Sequence, residues 1–289
     1  MPTFGQLVEV LKTWFSYPNT PGDYIFYGIV IAFVFGAVWL LSHWPPLFKK
    51  PWLWAVLVGS GFLTLLAFVF IEIPLRSGIE IIMEKIWNVD TLSDWLLLSS
   101  IPFVLVIGLV QEGAKMVPMV FWWVKGKRNI SPKMGLAIGA LAGAGFGIFQ
   151  AIWVNNNILP YLGLPWDAVQ NGFEGIALYW QTFFTVGFHI AASALAGYGL
   201  AKGKGFRFYL LAALLHAVIT YATILEIQFN LTAIQVEMYI AVVAVLVTAG
   251  ALMLRWRKAD DEPAEPVEPA EQVEPAEPIE PVEPVETDV

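Results

Sequence analysis

Residues 134–156 read MGLAIGALAGAGFGIFQAIWVNN, a stretch without one charged side chain. An apolar run of roughly 20 residues is what a helix needs to cross a bilayer. Gly135, Gly139, Gly143 and Gly147 recur every four residues within it. That spacing puts a stripe without side chains along one helix face, where a neighbouring helix packs closely. Working outward, six more runs of comparable length appear, so the expected spans are 24–43, 52–75, 95–124, 134–156, 174–200, 208–226 and 236–254. The fold class expected is all-α, a polytopic integral membrane bundle of about seven transmembrane helices. The first run is too long, and lacks the small-residue cleavage site, for a signal peptide.

The composition agrees. Of the 289 residues 57% are hydrophobic and 14% charged, against about 25% charged in soluble domains, and the mean hydropathy is +0.65. The absence of Cys excludes disulfides, thiolate metal sites and Cys nucleophiles. The net charge of −8 is unevenly placed: residues from Asp260 onward hold 12 of the 24 acidic groups and no Lys or Arg, which leaves 16 basic and 12 acidic groups in residues 1–258. Neither part gives a reason to expect a nucleic-acid partner.

Charge also orients the chain. Lys49, Lys50, Lys125, Lys127, Arg128, Lys133, Lys202, Lys204, Arg207, Arg255, Arg257 and Lys258 all follow odd-numbered spans, whereas only Lys12, Arg76 and Lys85 fall on the other side. The positive-inside bias then predicts an outer N-terminus and an inner C-terminus. Residues 1–23 are expected to form an interfacial helix around Leu7, Val10, Leu11 and Trp14. Residues 76–94 are expected to be a second surface piece, with Ile79, Ile82, Met83 and Ile86 on one face. The transmembrane domain, 1–258, is followed by a tail, 259–289, of Glu-Pro-(Ala/Val/Ile) triplets interrupted at Gln272. Proline at every third position forbids a helix, and the composition buries nothing, so an extended, disordered cytoplasmic spacer is expected; a docking peptide for a partner is the alternative.

Polar groups inside spans are costly and usually face an interior cavity. Here they cluster: Gln111, Glu112 and Lys115 in span 3, Gln150 in span 4, Gln181 and His189 in span 5, His216 and Thr220 in span 6. His43 stands at a span end and is expected at the interface. At about 1.5 Å per residue, Glu112, His189 and Gln150 lie about 18–24 Å from the inner boundary and His216 about 12 Å, one central layer within the error of the boundaries. Glu112 and Lys115, at i and i+3, are spaced for an internal ion pair, and a lone intramembrane His for an interhelical hydrogen bond. The glycines by themselves mean only tight packing. Gathered in one layer, these groups read as a site.

In order, these residues resemble a known pattern. Gln111-Glu112-Gly113-Ala114-Lys115 resembles the Glu-Glu-x-x-Lys motif of the PrsW family of intramembrane proteases, within the wider CPBP/Rce1-like glutamic superfamily, of which YhfC-type proteins are close relatives. Gly145-Phe146-Gly147-Ile148-Phe149-Gln150 resembles that family's Gly-Phe-x-x-x-Glu helix. His189 with Ala194 and Gly197 resembles its third motif, and His216 followed by Thr220 its His-x-x-x-Asn. The match covers roughly residues 95–225. It implies peptide-bond hydrolysis in a membrane-protein or peptide substrate by a glutamate-activated water, with the histidines orienting the water or stabilising the oxyanion, in a prokaryotic cell membrane. The site residues it implies are Glu112, Gln111, Gln150, His189 and His216, supported by Lys115, Thr220 and Ser193. No cofactor is expected. Two His and one Glu have the makings of a zinc site with an open position, but no HExxH spacing supports one.

This chain departs from the pattern at three places. Gln111 and Gln150 stand where the family has Glu, and Thr220 where it has Asn. A glutamine keeps the shape of glutamate but takes no proton near neutral pH, so under the family's mechanism this chain is expected to cleave slowly or not at all, and Glu restored at 111 or 150 to revive it. Glu112 is then expected to be the one acid of the layer. The readings left open are a diverged enzyme using Glu112, a pseudoprotease that binds membrane segments without cutting, and introduced substitutions at the two Gln. A transporter or channel is the remaining class. A retinal pump is disfavoured because span 7 has no lysine, a rhomboid by the absence of Gly-x-Ser-Gly, and a presenilin-like enzyme by the absence of an intramembrane Asp pair.

Overall fold

The computed structural model describes residues 1–126, 128–164, 167, 170 and 172–257; the Glu-Pro tail lies outside them. The protein is 84% helical, without strands among the described residues. Among the described residues twelve α-helices follow one another: α1 Phe4–Thr13, α2 Gly22–His43, α3 Trp52–Ala67, α4 Ile73–Ile86, α5 Val89–Asp94, α6 Leu96–Ser99, α7 Ile101–Lys125, α8 Pro132–Leu162, α9 Gly172–Ala201, α10 Gly205–Thr220, α11 Ala222–Phe229 and α12 Ala233–Arg255. Among the described residues seven helical stretches are long and apolar enough to cross a membrane, one on each of the seven expected spans, with differing ends. This is an integral membrane protein.

The α8–α9 pair is the centre. In their apolar windows 83% and 78% of residues are buried, against 22–44% in the other spans. The glycine stripe explains the pairing. A Cβ added at Gly135, Gly139 or Gly143 would collide with the carbonyl of Gly197, Ser193 or His189 respectively. On another side of α8, a Cβ at Gly145 would strike the Leu57 carbonyl of α3, and Ser60 donates to the Ala142 carbonyl at 2.7 Å. Backbones this close gain dispersion contacts where lipid offers no hydrophobic drive. The outer spans turn Phe33, Val38, Leu66, Phe121, Leu214 and Leu246 outward, as lipid-facing helices do.

Span 2 differs from expectation. Instead of ending near residue 75, helix continues without a break from Trp52 to Ile86. The joint is a π turn, Phe68–Glu72, in which the Ile73 amide donates to the Phe68 carbonyl. Pro74 has no amide proton to continue the α ladder, and the widened turn absorbs the defect. Beyond it α4 buries none of its residues, which keeps the surface character expected of residues 76–86. The N-terminal helix is docked rather than merely interfacial: Leu7 and Trp14 are buried against Leu65, Val69 and Phe146, and Trp14 stacks on Trp153 and Phe149. His43, expected at the interface, is buried at the end of α2, its Nδ1 3.0 Å from Ser42 Oγ. Several basic span ends meet in space. Trp44, Lys133 and Arg255 line one opening of about 590 Å³, and Lys50, Lys125 and Ser131 another of about 380 Å³.

Candidate functional site

Four spans deliver their polar side chains to one place. On α7, Glu112 and Lys115 are one turn apart, and Lys115 Nζ donates to Glu112 Oε1 at 2.6 Å. Residues at i and i+3 share a helix face, and this pair is completely buried. From α9, His189 Nδ1 lies 3.0 Å from Lys115 Nζ. From α8, Gln150 Oε1 lies 2.7 Å from His189 Nε2. From α10, His216 Nδ1 lies 2.7 Å from Glu112 Oε1. Ser193, one turn beyond His189, donates to Glu112 Oε2 at 3.3 Å. The earlier helix start at Gly205 puts His216 about 16 Å from the α10 terminus, deeper than the expected 12 Å and level with its partners.

The donors and acceptors assign themselves in one consistent way. An ammonium only donates, so His189 Nδ1 accepts from Lys115. The proton of the neutral ring is then on Nε2, and it is donated to the Gln150 amide oxygen. With Glu112 ionised, His216 donates through Nδ1 and keeps the Nε2 lone pair, which makes no hydrogen bond among the described residues. The rings of His189 and His216 lie 5.1 Å apart, and Phe146 walls the cluster, edge-on to His189 and 5.6 Å below Lys115 Nζ.

The glycine stripe is what lets this happen. Gly143 abuts the His189 backbone, and at Gly147 an added Cβ would meet only ordinary to tight contacts, 3.3–3.5 Å from His189 and Val186. The helix bearing Gln150 thus comes near enough for a side chain as short as Gln to reach the imidazole.

Three expected residues need correction or limits. Gln111 is not in the cluster. Successive residues of a helix differ by about 100°, and with Glu112 turned to the histidines, Gln111 faces the π turn, where its Nε2 donates to Glu72 Oε2 at 2.9 Å. Thr220 is half-buried one turn beyond His216 and makes no hydrogen bond to the cluster among the described residues. Glu112 is not the sole acid at this depth, because Glu72 is also buried, at 1% exposure. Sequence reasoning passed over Glu72, although a carboxylate inside the run Leu63–Leu75 was a visible signal. Glu237, buried in α12, was passed over in the same way. At the outer end of α8, Asn155 donates to the Gly28 carbonyl of α2, and the Asn156 backbone carbonyl accepts from Thr20.

Glu112, His189 and His216 offer ligand atoms all within 4.8 Å of one another, which is the donor set of a zinc site. The fit fails on Lys115. Its ammonium nitrogen lies 2.6 Å from Glu112 Oε1 and 3.0 Å from His189 Nδ1, and zinc bound to those two atoms at about 2.0–2.2 Å would rest against it. The cluster is built around the chain's own cation. No family model, curated protein or solved structure matches this chain.

Proposed function

We propose that this protein is a PrsW-like intramembrane endopeptidase, acting on a membrane-protein or peptide substrate by activated water. The observation that carries the reading is the single hydrogen-bonded chain Gln150–His189–Lys115–Glu112–His216, drawn from four consecutive spans and enclosed in an apolar bundle. Intramembrane ionisable groups are expensive and mark functional sites, and this set contains the parts that amide hydrolysis needs.

In this reading the base is the Glu112–His216 pair. Glu112 holds His216 Nδ1–H and so presents Nε2, unprotonated, to a water. When Nε2 takes the proton, the carboxylate stabilises the imidazolium, as the acidic member of a catalytic triad does. The attacked carbonyl becomes an oxyanion, and His189 Nε2–H is the donor for it. At present that donor holds the Gln150 amide oxygen, which is chemically a peptide carbonyl and occupies the place a substrate carbonyl would take. The same proton returns from His216 to the leaving amine. The positive-inside asymmetry, with the basic ends gathered around Lys50, Lys133 and Arg255, supports an outer N-terminus and a cytoplasmic tail; the prokaryotic cell membrane is what the resemblance implies. Protease protection of the tail in sealed vesicles tests that orientation.

A second reading, a non-catalytic protein that binds membrane segments, is favoured by one observation. Both oxygens of Glu112 are engaged, and amides stand at 111 and 150. A reconstituted cleavage assay with a generic transmembrane substrate separates the two. Cleavage by the wild-type chain that falls about 10²- to 10⁴-fold in His216→Gln and in Glu112→Gln is the expected result. No cleavage by wild type, Gln150→Glu or Gln150→Ala, each folded and binding substrate, leaves the binding reading.

A further inference from the structure

The mechanism above leaves Glu72 unused. It ends the π turn and is buried. It receives one hydrogen bond from Gln111, at 2.9 Å, and its nearest cation, Arg76 Nη1, is 3.7 Å away on a side chain that is 43% exposed. Gln111 Oε1 and Arg76 Nε are buried without partners beside it. A buried carboxylate so thinly compensated costs stability, and a pair of amides or apolar groups would serve packing better.

What it does follows from the surface of α7. Val117, Val120, Phe121 and Val124 face outward, and Gly108 meets α10 backbone to backbone at Ala213. On that outward face lipid is as apolar as the side chains, so no hydrophobic drive favours one rotation over another. Polar bonds must therefore hold its rotation. Among the described residues two side-chain sets reach from it to its neighbours, about 100° apart: Glu112 to His216 and Ser193 with Lys115 to His189 on one face, and Gln111 to Glu72 on the other; the Leu109 carbonyl also accepts from Tyr209 of α10 at 2.9 Å. Two directions fix a rotation where one leaves play.

We propose that Glu72 is a positioning residue of the Glu112 site, acting through Gln111 to lock the rotation of α7, so that Glu112 meets His216 and Lys115 meets His189. The role in catalysis rests on the peptidase reading; the locking of α7 does not, and the experiment reads them separately. The chain has no Cys, so Val120→Cys on α7 and Val245→Cys on α12, both lipid-facing, take spin labels uniquely. The distance distribution between them is measured in the otherwise wild-type chain, in Glu72→Leu, in Glu72→Asp, which is one methylene too short to reach Gln111, and in the exchange Glu72→Gln with Gln111→Glu, which rebuilds the bond with its ends reversed. A shifted or broadened distribution in Glu72→Asp and Glu72→Leu, restored in the exchange, is expected. An unchanged distribution in Glu72→Asp overturns the proposal, and so does an exchange as perturbed as Glu72→Leu. In the cleavage assay the same variants should lower kcat about tenfold or more with KM unchanged, again rescued by the exchange. Shifted distances with equal kcat overturn the catalytic half of the proposal. Shifted distances with no cleavage by any variant, wild type included, sustain the lock and reject the peptidase reading.

Discussion

The two faces of α7 carry adjacent residues and opposite degrees of completion. On the Glu112 face both carboxylate oxygens, the ammonium and both His189 nitrogens have partners, drawn from four spans, and His216 Nε2 alone is left for a substrate water. On the Gln111 face one hydrogen bond joins Gln111 to Glu72, while Gln111 Oε1 and Arg76 Nε have none. The difference teaches where stability and where cost lie. In a low-dielectric interior a satisfied network rigidifies, and each polar group left unpaired is costly.

The most severe way to break the complete face is Lys115→Met. It removes the common partner of Glu112 and His189 and leaves a buried carboxylate with its cation gone, a loss of about 3–5 kcal/mol, measured by thermal unfolding in detergent. The shorter variant Lys115→Ala also clears the place between Glu112, His189 and His216. It is expected to take up about one zinc per chain, and elemental analysis that finds no more metal than in wild type would show that the ammonium is not what bars a metal. Next comes Gly143→Ala, whose new Cβ strikes the His189 carbonyl; overpacking of this kind costs about 1–3 kcal/mol and moves His189 away from Gln150. Gly147→Ala, one turn along the same stripe and with ordinary to tight contacts only, should lose much less. Equal losses at the two positions would mean that the stripe does not set the α8–α9 distance.

Gln150→Ala sharpens the comparison by uncovering His189 Nε2–H. Its loss of about 1–2 kcal/mol should come with tighter binding of a peptide carbonyl, read by titration with a peptide aldehyde hydrate or amide inhibitor; unchanged affinity would show that Gln150 does not occupy a substrate's place. The smallest effect belongs to Ser193→Ala. A hydrogen bond of 3.3 Å to an oxygen that is not the shared one is worth about 0.5–1.5 kcal/mol, and a larger loss would mark Ser193 as a principal rather than a supporting partner.

The sequence by itself determined seven spans, an all-α bundle, the docking stripe of span 4 and a polar layer across spans 3 to 6. The reason is the bilayer: it requires long apolar runs and makes each exception conspicuous, so Glu112, Lys115, Gln150, His189 and His216 stand out without coordinates. Only the tertiary structure decided which way the exceptions point. A linear motif joins Gln111 to Glu112, yet 100° of helical rotation sends one to Glu72 and the other to His216. It also decided that Lys115 bridges Glu112 to His189 where a metal would need to be, because the ammonium's second partner comes from a helix 74 residues away. And it brought Glu72 into the account. Within its own span that residue is one charge in an apolar run; its partner lies on α7, 39 residues on, and no periodicity within a helix encodes a contact between two of them.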